Sequence, residues 1–261
     1  MPFIQKDEIR YYTFELLSET KLIHAVFTRR GGVSPAPWDS LNLGGTVGDL
    51  SAHVQENRER AFHSIGRNIS TIYDVWQIHG SEIVRTDSPR LLNIPHRKAD
   101  AILTDRSFVT LLMRFADCVP ILLYDPHRRV IGLAHAGWMG TVKRTVKEAI
   151  RTMEVEYGSR PGDIMAGIGP SIGPHHYQVG PDVVKQVIAS FGQDSTQFLS
   201  NKNGAVQFNL WEANRMILAE AGVNDIEVAG ICTACNLDDW YSHRGENGRT
   251  GRFGVLIGLA E

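Results

Sequence analysis

VTLLMRFADCVPILLYDPHRRVIGLAH, residues 109–135, contains three apolar runs, at 109–115, 120–124 and 130–135. Each has strand length and is rich in β-branched and large aliphatic residues, the composition of a buried strand. The gaps between them are too short for helical crossovers. They therefore read as antiparallel neighbours joined by tight turns, the second turn at Asp125-Pro126. This excludes a purely parallel, doubly wound sheet.

Outward from this stretch, further strands are expected at 23–28, 164–168, 226–231 and 253–259. Helical patterns fall at 51–65 with Ser51 as the N-cap, at 141–157 closed by Gly158, at 181–191 and at 211–221. In the second of these, Val142, Val146, Ala149, Ile150 and Met153 form one apolar stripe, with Lys143, Arg144, Lys147 and Glu148 outside it. That helix covers a sheet. The fold class is α+β, with mixed, largely antiparallel sheets covered by helices. No repeat or linker divides the chain, so residues 1–261 are expected to form one domain.

The chain carries 27 basic and 29 acidic side chains, a near balance that offers no overall field to draw in nucleic acid. No apolar run approaches the ~18 residues of a membrane span, and MPFIQKDEIR (1–10) lacks the pattern of a secretory signal. A cytoplasmic protein without nucleic-acid or membrane partners is expected. Three cysteines do not make a disulfide framework, so each thiol needs its own explanation.

Three soft or borderline ligands stand at predicted strand ends: His79 in WQIHGSE, Cys118 in FADCVP and His135 in LAHAGW. Zinc accepts this donor set, and three protein ligands leave a fourth position open, as in a catalytic site. A bound ion there would lower the pKa of its water from about 15.7 toward about 7. The spacings of 39 and 17 positions match no compact zinc-finger pattern. Buried cysteines and hydrogen-bonded structural histidines are therefore the simpler reading at this level, with the metal site as the alternative.

The blocks TRRGGVS (28–34), LNLG (41–44), QIHG (77–80), ADAILTD (99–105), ADCVPILLYDP (116–126), AHAGWMGTV (134–142), GPSIGPHHYQVG (169–180) and the SHR…TGR run (242–252) resemble the successive signatures of the laccase-domain family. Members of that family, older-named multicopper polyphenol oxidoreductases, are regarded as purine nucleoside phosphorylases with adenosine deaminase activity. The resemblance extends from about residue 23 to residue 258. It implies a layered α-β-β-α sandwich resembling cysteine hydrolases of the toxin-deamidase type. It also implies one metal ion, Zn2+ or alternatively Cu2+, on His79, Cys118 and His135. The implied substrates are purine nucleosides (adenosine, inosine, guanosine or methylthioadenosine) and inorganic phosphate, handled by a monomer or small homo-oligomer.

Several residues within these blocks are candidates for supporting roles. Asp117 is either a general base or ligand-orienting carboxylate, or a turn residue. Arginine forks suit phosphate, and Arg29, Arg30 and Arg244 are available, with Arg29 and Arg244 favoured by the resemblance. Asn42 in LNLG joins them as a substrate contact on the same ground. Trp138 and Tyr177 are aromatic candidates for stacking on a purine. The turn 169–174 resembles a loop shaping a substrate mouth, and His175 and His176 read as plain loop residues. Cys232 and Cys235 form one CxxC, read as two buried thiols, with a redox pair or half a zinc site as alternatives. Cys235 and His243 depart from the family's usual residues.

Two other chemistries compete. A four-copper phenol oxidase needs clustered His-x-His motifs, and the ten histidines here are scattered. A cysteine hydrolase would use Cys118 as nucleophile and His135 as base.

Overall fold

The computed structural model describes residues 2–18, 20, 22–91, 93–202 and 204–260. Two six-stranded sheets dominate. The first has the order β1 (Phe3–Lys6), β2 (Ile9–Tyr12), β3 (Leu22–Phe27), β15 (Phe253–Leu259), β7 (Thr110–Phe115), β4 (Ile72–Asp74). The second runs β14 (Asp225–Val228), β10 (Met165–Ile168), β8 (Val119–Asp125), β9 (Val130–Ala136), β6 (Ala101–Thr104), β5 (Ile83–Arg85). A small third sheet joins β11 (Gln178–Val179), β13 (Ala205–Phe208) and β12 (Leu199–Lys202). The pairs β4·β7, β5·β6 and β10·β14 are parallel and the other strand pairs are antiparallel.

Period-2 alternation sorts the side chains into layers. Along β8, Leu122 and Tyr124 enter a core shared with Val255, Ile257, Leu111 and Met113 of the first sheet. Val119, Ile121 and Leu123 face the opposite way, toward Val146, Ala149, Ile150 and Met153. Those four residues belong to α4 (Thr145–Tyr157), and α6 (Leu210–Glu220) and α5 (Pro181–Phe191) share the same layer. On the far side, Ala61 and Phe62 of α2 (Ser51–Ser64) pack on Leu112, Leu256 and Phe27. The order of layers is helix, sheet, sheet, helix.

Three sequence expectations need correction. The runs at 109–115 and 120–124 are not neighbours in one sheet: β7 lies in the first sheet and β8 in the second. Ala116–Cys118 form a corner instead of a hairpin, with Asp117 at φ +83°, and the chain steps across the core so that both strands bury both faces. Only β8 and β9 pair as expected, across the Asp125-Pro126 turn, whose Asp125 Oδ1 accepts the His127 and Arg128 N–H groups.

The helix at 141–157 is broken into α3 (Trp138–Val142) and α4 by Arg144, which is left-handed at φ +57°. Gly158 closes α4 at φ +68°, as its freedom from a Cβ allows. Ser51 is the first helical residue, and Leu50 occupies the cap with no side-chain bond. The short helix α1 (Glu15–Ser18) completes the set. Among the described residues, no helix is long and apolar enough to cross a membrane.

Candidate metal centre and active site

His79 and Cys118 both lie where the chain passes from the first sheet to the second: His79 between β4 and β5, Cys118 between β7 and β8. His135 is the penultimate residue of β9, and the antiparallel register that sets Val119 opposite Ala136 brings the end of β9 to the corner carrying Cys118. Three residues remote in sequence therefore meet at one end of the sandwich. Their ligand atoms all lie within 4.8 Å of one another. His135 is buried, Cys118 half-buried and His79 exposed, so one side of the group is open to solvent.

His79 has φ +56°, a conformation that a side chain bearing Cβ adopts only when its surroundings enforce it. Asp100 supplies that enforcement. Its carboxylate accepts three consecutive backbone N–H groups, from Ile78 at 3.2 Å, His79 at 3.0 Å and Gly80 at 2.6 Å. Its Oδ1 also stands 2.9 Å from His135 Nδ1. With Nδ1–H donating to a carboxylate, Nε2 of His135 is the lone-pair nitrogen, the tautomer a metal ligand needs. Asp100 is fully buried at the start of ADAIL and is not among the residues that motif or ligand type singles out. A carboxylate opening an apolar strand was the available signal.

Electrostatics prepare the sulfur. Burial pushes the Cys118 thiol up, but the His135 and His79 imidazoles beside it outweigh burial and draw it below its ordinary value. Burial lowers His135, and Cys118 and Asp100 reverse that effect and raise it. Gly137 permits the close approach, because a Cβ there would lie 2.7 Å from Cys118 Sγ and 3.5 Å from the His79 ring. One thiolate and two imidazoles, one of them backed by a carboxylate, are a donor set suited to zinc with an open position.

The family model described as multi-copper polyphenol oxidoreductase laccase matches residues 23–260. The chain belongs to that family. Among its curated relatives is purine nucleoside phosphorylase YlmD of Bacillus subtilis, 36% identical, with the alignment covering 92% of this chain and 90% of the relative. A purine nucleoside phosphorylase of Deinococcus radiodurans is 38% identical over 90% of this chain and 88% of its own. The crystal structure of YlmD from Geobacillus stearothermophilus superposes with a TM-score of 0.92 at 31% identity, covering 100% of this chain and 99% of the other.

In this laccase-family chain the remaining site candidates divide sharply. Asp117, with its carboxylate almost fully buried, accepts the Thr233 and Ser242 hydroxyls at 2.7 Å each on Oδ1 and the Arg244 N–H at 2.6 Å on Oδ2. It ties the Cys118 corner to two other loops. Arg29 spends its donors internally, on Asp39 O, Leu237 O, Glu246 Oε1 and Asp39 Oδ1, with its guanidinium over the Tyr241 ring. Arg30 is paired with Asp239. Asn42 is fully buried and bonds Asp49, Gly44 and the Arg252 N–H, which makes it a loop brace.

Arg244 is different: it is exposed, donates to Gln178 O at 3.1 Å and lies 5.4 Å from the Tyr177 ring centroid. Tyr177 is near enough to Cys118 for the sulfur's charge to reinforce burial in raising its phenol. Trp138 is half-buried directly after Gly137, at the start of α3. Burial lowers the Arg252 guanidinium, and the charges of Cys118 and Asp117 oppose that effect in part. Of the CxxC pair, Cys232 is buried as expected and Cys235 is exposed.

Proposed function

We propose that this chain is a zinc-dependent purine nucleoside phosphorylase, one domain over residues 1–261, that converts a purine nucleoside and phosphate to the free base and ribose 1-phosphate. The observation that carries the reading is the convergence of His79, Cys118 and His135 within 4.8 Å, with Asp100 orienting His135. Relatives named purine nucleoside phosphorylase at 36% and 38% identity support it.

In phosphorolysis a phosphate oxygen forms a bond to the anomeric carbon as the bond to the purine nitrogen breaks. The base leaves with the electron pair and takes up a proton. Positive charge builds on the ribosyl carbon, so positioning and electrostatic complementarity dominate the rate. His79, Cys118 and His135 would hold the zinc ion, which supplies Lewis-acid polarisation of an oxygen or nitrogen when bound. Cu2+ is the other ion such a set accepts.

The chain's own residues do the rest. Arg244, exposed and with one donor on Gln178 O, grips phosphate as a planar fork, and Asp117 fixes its backbone through the Arg244 N–H. Arg29 and Asn42 act behind the site by holding loops, because their polar groups are engaged within the protein. Trp138 and Tyr177 provide aromatic faces for the purine. Asp117 positions Cys118 and the 242–244 segment, since its oxygens already accept three bonds. Adenosine deamination is the companion activity: water oxygen replaces the C6 amino group and ammonia leaves.

The lowered Cys118 thiol beside His135 favours a second reading, a cysteine hydrolase in which the sulfur attacks an amide carbonyl. One experiment separates the two. Hypoxanthine release from inosine is measured with and without phosphate, on chelated and zinc-reloaded protein, for the wild type and Cys118→Ala. Release that needs both phosphate and zinc and is lost in the variant supports phosphorolysis. Amide hydrolysis by metal-free protein, or copper-dependent phenol oxidation with no release, overturns it.

A further inference from the structure

A second set of ligands lies outside the site just described. His175, His176, Cys232 and Cys235 place their donor atoms within 4.8 Å of one another. His175 Nε2 is 3.0 Å from Cys235 Sγ, and His176 Nδ1 is 3.4 Å from Cys235 Sγ and 3.5 Å from Cys232 Sγ. With zinc–nitrogen bonds of about 2.0 Å and zinc–sulfur bonds of about 2.3 Å, the edges of a tetrahedral site are about 3.3 to 3.8 Å. Two of these three separations already fall in that range, and the third is 3.0 Å.

The surroundings are those of a built site. The two histidines occupy the turn Pro174–His176 and the cysteines flank and close the turn Thr233–Cys235. Backbone bonds hold the segments in register, Ser171 N–H to Ile231 O and Thr233 N–H to Ser171 O, each at 3.1 Å. The Gly173 N–H donates to Cys232 Sγ at 3.2 Å, the kind of bond that supports a thiolate ligand. Glycine at 173 leaves room for this approach, because a Cβ there would meet the His175 ring at 2.7 Å and Cys232 Sγ at 3.2 Å, so that the ligands would have to shift.

We infer that His175, His176, Cys232 and Cys235 form a second, structural zinc site that clamps the 171–176 segment to the 231–236 segment. Two thiolates neutralise the ion, and four protein ligands leave no open position, so the site is closed and does no chemistry itself. Its mechanical reach is specific. Thr233, between the two cysteines, donates its hydroxyl to Asp117 Oδ1, and the Ile172 N–H donates to Asp117 O at 3.0 Å. Both clamped segments therefore hold the residue next to Cys118. This inference is independent of the phosphorylase reading.

The test is zinc stoichiometry of the full chain, purified under reductant, reloaded with zinc and freed of excess. Wild type should bind two ions per chain, and Cys235→Ser and His175→Gln, both at exposed positions, should each bind one. Cys118→Ala should also bind one and Cys118→Ala plus Cys235→Ser none, which shows that the two losses concern different sites. Cobalt substitution gives a second readout: the thiolate-to-cobalt absorption should fall by more in Cys235→Ser plus His175→Gln than in Cys118→Ala, because two thiolates leave the coordination sphere instead of one. Retention of wild-type stoichiometry by both Cys235→Ser and His175→Gln overturns the inference. So does a wild type that, fully reduced, binds a single ion abolished by Cys118→Ala.

Discussion

Asp100 and His135 are joined twice, through the His135 N–H to Asp100 O at 2.8 Å and through His135 Nδ1 to Asp100 Oδ1 at 2.9 Å. Ring and backbone of the buried histidine are thus fixed by one residue. The same carboxylate holds the three N–H groups of the His79 turn. Two of three candidate ligands depend on it.

Asp100→Asn should therefore weaken zinc binding about 10- to 100-fold, the usual effect of losing a carboxylate behind a ligating histidine. An amide presents an N–H2 toward groups that are themselves donors, so part of the turn is left unsatisfied. Competition with a chromophoric chelator measures the affinity, and circular dichroism checks the fold. Unchanged affinity in a folded variant would remove Asp100 from the site.

Gly137→Ala should reduce zinc content and nucleoside cleavage together while the melting temperature changes little. The added methyl carbon would lie 2.7 Å from Cys118 Sγ, far inside normal contact, and the sulfur must move to relieve it. Metal analysis beside a thermal melt decides this. Full occupancy in the variant would mean that the corner at Cys118 tolerates displacement.

The two arginines favoured by the family blocks should separate by phenotype. Arg244→Ala should raise the KM for phosphate at least tenfold and leave stability unchanged, because the side chain is exposed and makes one carbonyl contact. Arg29→Ala should cost about 3 kcal/mol of stability, since it removes the cation paired with Glu246, whose side chain is 19% exposed, and the donor to Asp39 O and Leu237 O. Steady-state kinetics in phosphate and urea unfolding give the two readouts. The opposite assignment would follow if Arg29→Ala were stable and impaired only in phosphate binding.

Stability should fall as pH drops from about 6.5 to about 4, through His24. Burial lowers this imidazole to about 4, and its Nε2 accepts the Phe14 N–H at 2.9 Å, which requires that nitrogen to be unprotonated. Between those values the unfolded chain binds the proton and the folded chain does not, so acid favours unfolding; the stabilisation is complete above pH 6.5 and lost by the lower limit. The contribution of this group is about 3 kcal/mol. Urea unfolding at pH 7 and pH 4.5 should show a smaller drop for His24→Gln, whose amide oxygen can accept the same bond. An equal drop in both proteins would assign the acid sensitivity elsewhere.

Local patterns decided much of this protein in advance. The helix at 181–191 and the strand at 253–259 were legible to the residue, because 3.6- and 2-residue periodicities record which side chains are buried, and burial is a local property of each element. His79, Cys118 and His135 stood out as ligand types at strand ends, and the block resemblance singled them out. The tertiary structure alone decided the rest. Whether β7 and β8 share a sheet depends on the backbone of Asp117, a single positive φ that no periodicity encodes. The roles of Arg29 and Arg244 exchange meaning only when the partners of each are seen, since an arginine's function is set by what occupies its donors. Asp100, and the meeting of His175 and His176 with Cys232 and Cys235, arise from contacts between segments 20 or more residues apart, and such convergence is a property of chain crossings in three dimensions.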